Sequence, residues 1–169
     1  LSTGPVPVLT PKAQPQHASA KQHQTGEASL TGSGLRSQAD FTVRGRALVT
    51  DVPITYLGYV NRDSGVIEEP GHPLDGVAIE DTVLVYPKGS GSTVAPYVLM
   101  GLIYTGKGPK AVVNRDICPL TLPACSLLGV PYGHGFDNDP CLAVNTGDTV
   151  EFRRTPDGVV LEVVERVQP

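Results

Sequence analysis

The sequence has no Trp and one Met, and its aromatic residues amount to six Tyr and three Phe. Charged residues make up 18% of the chain, below the roughly one quarter of an ordinary globular protein. With a net charge of −4, that scarcity excludes a general nucleic-acid-binding surface. No apolar run approaches the ~20 residues needed to cross a bilayer, so no membrane association is expected. The first residues lack a basic region followed by an apolar core, so no secretory signal is expected either. Only three Cys occur (Cys118, Cys125 and Cys141), and none forms a Cys-x-x-Cys pair. That odd, dispersed set argues against a disulfide framework and against structural zinc. It suits small buried residues in a reducing, cytoplasmic setting.

What the sequence has in excess is turn formers, with 19 Gly and 16 Pro among 169 residues. This excludes a helical bundle, and the length fits one domain. Residues 1–38 are rich in Gln, Ser, Thr, Gly, Ala and Pro, and every aromatic lies at or beyond Phe41. Such a segment buries too little apolar surface to offset its ordering entropy, so 1–38 is read as a disordered extension and 39–169 as the domain. His17 and His23 fall in that extension and are read as solvated.

Within 39–169 the pattern is that of a mixed α/β domain. A strand is expected at Phe41–Val49, bent or bulged at Gly45, and Ile54–Val60 is a second apolar stretch rich in β-formers. Asn61–Gly65 reads as a turn and Glu68–Gly76 as a loop. Thr82–Tyr86 is a short continuous apolar strand of the kind buried on both faces. Val94–Tyr104 reads as a buried helix with Pro96 in its first turn, where a missing N–H is tolerated. A strand at Lys110–Asn114, a helix at Leu120–Leu128 ended by Gly129, and a strand or turn from Val130 follow. Thr155-Pro-Asp-Gly158 joins a terminal hairpin, Thr149–Arg154 with Val159–Glu165.

The most informative segment is Pro87-Lys-Gly-Ser-Gly-Ser-Thr93, lying between a buried strand and a helix. Glycines let successive backbone N–H groups turn outward, and the helix start adds positive dipole character. Such a place suits an anion, or an alkoxide formed on a Ser. The alternative is a helix capped by Ser92 or Thr93 after a tight turn. The spacing matches neither a Walker A loop nor a nucleophile elbow. Other candidates are weaker. His72 and His134 lie in loops. Asp137, Asn138 and Asp139 form a cluster that fits a cation or plain turn chemistry equally well.

The order of motifs adds a resemblance. The series runs Gly45-Arg-Ala-Leu-Val49, Pro53-Ile-Thr-Tyr56, Asn61-Arg-Asp-Ser-Gly-Val-Ile67 and His72-Pro-Leu-Asp-Gly76. It continues through Leu84-Val-Tyr-Pro-Lys-Gly-Ser-Gly-Ser-Thr93, Gly129-Val-Pro-Tyr-Gly133 and Thr146-Gly-Asp148 to the terminal hairpin. It resembles the swivel domain of the aconitase X family, in many members a separate small subunit, over residues 40–166.

The resemblance implies a compact swivelling β/β/α domain that closes over a large catalytic subunit, the expected partner. The two together are a hydro-lyase acting on a small hydroxy acid. It further implies that an iron–sulfur cluster or metal sits in the large subunit and none in this chain. The cluster is the Lewis acid for the leaving hydroxyl, and Ser92, by motif match, is the base. Gly89, Ser90, Gly91 and Thr93 are then expected to face the substrate. Ser90 stands where many relatives carry a basic residue, and Lys88 is the nearest substitute. The expected substrate is cis-3-hydroxy-L-proline, on the strength of the long polar extension. The alternatives are mevalonate 5-phosphate or a non-catalytic anion- or partner-binding module.

Overall fold

The computed structural model describes residues 28–168. Seven strands close into a barrel in the order β1-β5-β4-β3-β2-β6-β7. They are β1 Ser29–Gly34, β2 Thr42–Val49, β3 Val83–Tyr86, β4 Ala111–Asn114, β5 Tyr132–His134, β6 Thr149–Thr155 and β7 Gly158–Glu165. β2, β3, β4 and β5 run parallel to one another, whereas β6, β7 and β1 complete the circle in antiparallel pairs. Two helices, α2 Ala95–Tyr104 and α3 Leu122–Leu128, form the β3-to-β4 and β4-to-β5 crossovers. Two single turns, α1 Tyr56–Tyr59 and α4 Pro140–Ala143, complete the elements.

The parallel strands are buried on both faces, as their continuous apolar character requires. Alternation along them splits the core in two. Ala47, Val83, Val85, Ala111 and Val113 point into the barrel and meet Leu30, Phe152, Leu161 and Val163. Leu48, Leu84, Tyr86, Val112 and Tyr132 point outward under Leu99, Leu102, Ala124 and Cys125 of the two helices. Among the described residues β6 and β7 carry no helix over their outer face, and their burial alternates with period two. On that outer face Arg153 Nη1 lies 2.9 Å from Glu162 and 3.3 Å from Glu151.

The structure corrects three expectations. The extension drawn at 1–38 reaches too far, because Ser29–Gly34 is a barrel strand with Leu30 only 1% exposed and paired with Leu161. The glycines that make this strand look structureless are close-approach sites. A Cβ at Gly32 would sit 2.7 Å from the Phe136 ring, and one at Gly34 would sit 2.9 Å from Val159. Residues 1–27, with His17 and His23, lie outside the described residues.

β2 shows no bulge at Gly45, which pairs in unbroken register with Val150. The irregularity is on the β6–β7 ladder, between Thr149 and Val150. Ile54–Val60 is no strand. Its turn is interrupted at Leu57 and Gly58, and its β pairing is limited to single bridges, Ile54 to Gly89 and Val60 to Ile67. The helices at 95–104 and 122–128, the turn at Asn61–Gly65 and the terminal hairpin agree with the sequence reading.

Candidate active site

Because β2 to β5 are parallel, the loops after them share one rim of the barrel. Ligands in parallel α/β sheets gather at this carboxyl-terminal rim. The Gly/Ser loop after β3 sits in the middle of it. On one flank Thr50 N–H donates to the Val85 carbonyl. On the other, Arg115 N–H donates to Tyr86 and Asp116 N–H to Pro87.

The loop has a pinned half and an exposed half. Lys88 carbonyl accepts from Ile54 N–H at 3.2 Å, and Ser90 N–H donates to the Ile54 carbonyl at 2.9 Å. Gly89 N–H donates to Cys118 Sγ at 3.2 Å. A side chain at Gly89 would be tight, since a Cβ would lie 3.2 Å from both Leu120 and Thr121. Beyond Ser90 the chain emerges, and Gly91, Ser92 and Thr93 are exposed. Their three amide N–H groups donate to no group among the described residues.

Ser92 does not cap α2 in the usual way, because Val94 occupies the cap position and offers no side-chain bond. Instead Ser92 Oγ accepts the Val94 N–H at 3.3 Å, two residues on, and the Ser92 carbonyl accepts Ala95 N–H at 3.0 Å. The oxygen is thus exposed, backed by an N–H donor and placed before the first turn of a ten-residue helix. Each of these features favours negative charge on it. Thr93 caps nothing through its side chain. Lys88, the proposed substitute for a basic residue at Ser90, has an exposed side chain, and Ser90 itself is half-buried.

Beneath the loop lies a polar network that sequence reasoning missed. Tyr56 and Tyr86 hydroxyls meet at 2.6 Å, and Tyr86 continues to Thr121 Oγ1 at 3.0 Å. Tyr132 OH accepts Cys118 N–H at 3.3 Å and donates to Asn114 Oδ1 at 2.8 Å, while Asn114 Nδ2 donates to the Tyr86 carbonyl at 3.2 Å. All are buried, and burial pushes the three tyrosines up from their ordinary pKa. The sequence signal was a Tyr at one end of each of two short buried segments, Tyr86 closing β3 and Tyr132 opening β5.

The other candidates serve structure. His72 Nδ1 accepts Leu74 N–H within the Glu68–Gly76 loop, and Nε2 lies 3.1 Å from the Pro53 carbonyl, tying that loop to the segment before Ile54. His134 is on β5, and burial lowers its pKa. Asp137 accepts Thr31 N–H, and Asp139 accepts Cys141 N–H and faces Arg115 at 3.4 Å. Among the described residues no three His, Cys, Asp or Glu side chains gather where a metal could sit. Cys118, Cys125 and Cys141 are free and buried. The residues present therefore do not fit an iron–sulfur cluster.

A closed barrel with two crossover helices and an exposed Gly/Ser loop at its carboxyl rim defines a small domain with one candidate functional edge. Residues 34–161 match the model of the aconitase X swivel domain, and the chain belongs to that family. It is 37% identical over 108 residues to the phosphomevalonate dehydratase small subunit of Pyrococcus abyssi, covering 64% of this chain and 81% of that one. To the protein of the same name from Methanococcoides burtonii it is 32% identical over 120 residues, 71% of this chain and 88% of the relative. The fold matches the crystal structure of Thermococcus kodakaraensis aconitase X in its holo-form with a TM-score of 0.71 and 25% identity. That match covers 82% of this chain and 99% of the other.

Proposed function

We propose that this chain is the small subunit of an aconitase X-type dehydratase and that Ser92 is the base of an active site completed by a large subunit. The observation that carries the reading is the pairing of an exposed Ser92 Oγ with the Val94 N–H, beside the amides of Gly91, Ser92 and Thr93, which donate to no group among the described residues. A serine hydroxyl is a very weak base in water. N–H donors, a helix N-terminus and exclusion of water on closure lower the energy of its alkoxide. In the reaction the alkoxide takes the proton from the carbon next to the substrate carboxylate and becomes the hydroxyl. The neighbouring carbon loses hydroxide, and a carbon–carbon double bond forms between the two. The metal or cluster belongs to the large subunit on this reading.

The substrate we infer is mevalonate 5-phosphate, in place of the cis-3-hydroxy-L-proline suggested by the polar extension. The names of the relatives support this choice, and a substrate carrying both a carboxylate and a phosphate suits a loop of free amides. Gly89 and Ser90, pinned from below, hold the loop. Gly91 and Thr93 bring their amides to the substrate.

The test is the reconstituted complex of this chain with its large subunit, assayed with mevalonate 5-phosphate and with cis-3-hydroxy-L-proline. Ser92→Ala is expected to lower kcat by about 10²–10⁴-fold with little change in KM. If Ser92 is only a turn-former, the variant keeps kcat and loses about 1 kcal/mol of stability. Turnover of the proline and not of the phosphate ester would overturn the substrate assignment alone.

A further inference from the structure

We propose that Cys118 is a positioning residue for the base: its sulfur, acting as a hydrogen-bond acceptor, fixes the height at which the Gly/Ser loop leaves the barrel. The proposal rests on the reading of Ser92 as the base. Cys118 is 2% exposed and lies on the segment between β4 and α3. Gly89 N–H points at its Sγ from 3.2 Å, at a loop residue whose Cβ position is crowded by Leu120 and Thr121. The flanking bonds to Ile54 are made by Lys88 and Ser90. Cys118 therefore holds the loop from the α3 side while Ile54 holds it from the other.

The sulfur is itself held in place. Cys118 N–H donates to Tyr132 OH, and the Cys118 carbonyl accepts Thr121 N–H at 3.2 Å and Leu122 N–H at 2.9 Å. Tyr132 runs on through Asn114 to the Tyr86 carbonyl, one residue before the loop begins. Thr121, whose Oγ1 would touch a Cβ at Gly89, is tied through Tyr86 to Tyr56. The result is a closed, buried circuit whose last link to the moving chemistry is a sulfur–amide bond. The thiol is a weak acceptor, but Gly89 is buried, where an N–H without a partner is costly. Loss of the acceptor leaves that N–H to pull the loop toward another partner. Ser92 is three residues on, and displacement of a reacting group by about 1 Å costs on the order of 10²-fold in rate.

Two substitutions in the reconstituted complex separate acceptor from filler. Cys118→Ser keeps an acceptor and loses volume, whereas Cys118→Val keeps volume and loses the acceptor. Cys118→Ser is expected to retain kcat within about 3-fold. Cys118→Val is expected to lose about 10- to 100-fold in kcat, with KM nearly unchanged in complexes that still assemble. In a Ser92→Ala background the difference between the two should vanish, because the base they position is gone. If Cys118→Val fails to assemble, Cys118→Ala, which leaves a void and no clash, carries the same arm.

Retention of kcat by Cys118→Val with loss in Cys118→Ser would make Cys118 a packing residue and overturn the proposal. So would equal kcat for both variants, whether both are normal or both are lowered. A normal kcat in Ser92→Ala would instead overturn the reading of the base, so the two failures are distinguishable.

Discussion

Two glycines with nearly the same backbone angle supply a matched pair for testing whether the shape of the loop carries activity. Gly91 has φ +95° and Gly58 has φ +94°, a region L side chains rarely enter. A Cβ at Gly58 meets nothing within 4 Å, whereas a Cβ at Gly91 lies 3.1 Å from Thr55 Cγ2. Alanine at either site bears the strain of positive φ, about 1–2 kcal/mol. At Gly91 a tight contact is added, and the loop answers it either by holding still and losing further stability or by shifting a few tenths of an ångström. The second response moves Ser92, the next residue. Gly58→Ala should therefore lower stability in urea unfolding and leave kcat of the reconstituted complex within about 2-fold, since Gly58 is exposed and its Cβ presses on no neighbour through which the loop could be moved. Gly91→Ala should lower both stability and kcat. Thr55→Ser in the Gly91→Ala background removes Cγ2 and should recover the contact part of the loss and none of the φ strain, the separation a double-mutant cycle provides. Equal kcat in the two alanine variants, with equal stability losses, would refute the view that loop geometry at Gly91 sets the position of Ser92.

Leu30→Ala tests whether β1 is part of the barrel. As a fully buried core residue it should lose about 2–5 kcal/mol by urea unfolding, and a loss under about 0.5 kcal/mol, typical of a surface site, would remove β1 from the core. Alkaline pH should destabilise the fold through its buried thiols. Burial pushes Cys125 and Cys141 from an ordinary 9.0 up to about 12. In the native state each keeps its proton where the unfolded chain has lost it. Their stabilisation is whole below pH 9 and is lost as the pH rises toward 12, at about 1.4 kcal/mol per pH unit per thiol. Cys125→Ala should flatten the fall in urea stability between pH 9 and 11, and an unchanged slope would remove Cys125 from its cause.

The sequence announced those elements whose signal is local. β3 and β4 are legible because strands covered on both faces need unbroken apolar runs. α2 is legible because Pro96 is tolerable only in a first turn, and the β6–β7 hairpin because Pro156-Asp157-Gly158 has little else to do. β1 escaped because its apolar content is one residue, Leu30, and its membership rests on a ladder to β7 more than a hundred residues away. Ile54–Val60 misled in the opposite sense. Its Ile, Tyr and Val content fits a pleated surface, yet Tyr56 is used to reach Tyr86 and the segment is used to brace the loop. The candidate site divided the same way. Glycine spacing pointed to Gly89–Thr93, whereas Cys118 resembled a plain buried thiol because its partner, Gly89, is 29 positions away.

The contrast between the two halves of the loop has a physical sense once Ser92 is read as a base shared between two chains. A base that must meet a substrate held elsewhere cannot depend on that substrate to order it, since ordering entropy would then weaken binding and closure together. Lys88, Gly89 and Ser90 are therefore fixed from both sides by Ile54 and Cys118 before any partner arrives. Polar groups that stabilise charge act most strongly when water is excluded, but in the open domain they must be satisfied by water. That requirement places Gly91, Ser92 and Thr93 beyond the pinned segment, with their amides outside the internal hydrogen-bond network. Stiffness below and open donors above are then two parts of one device. It lets closure replace water with substrate at the tip without changing the shape of the loop that carries the base.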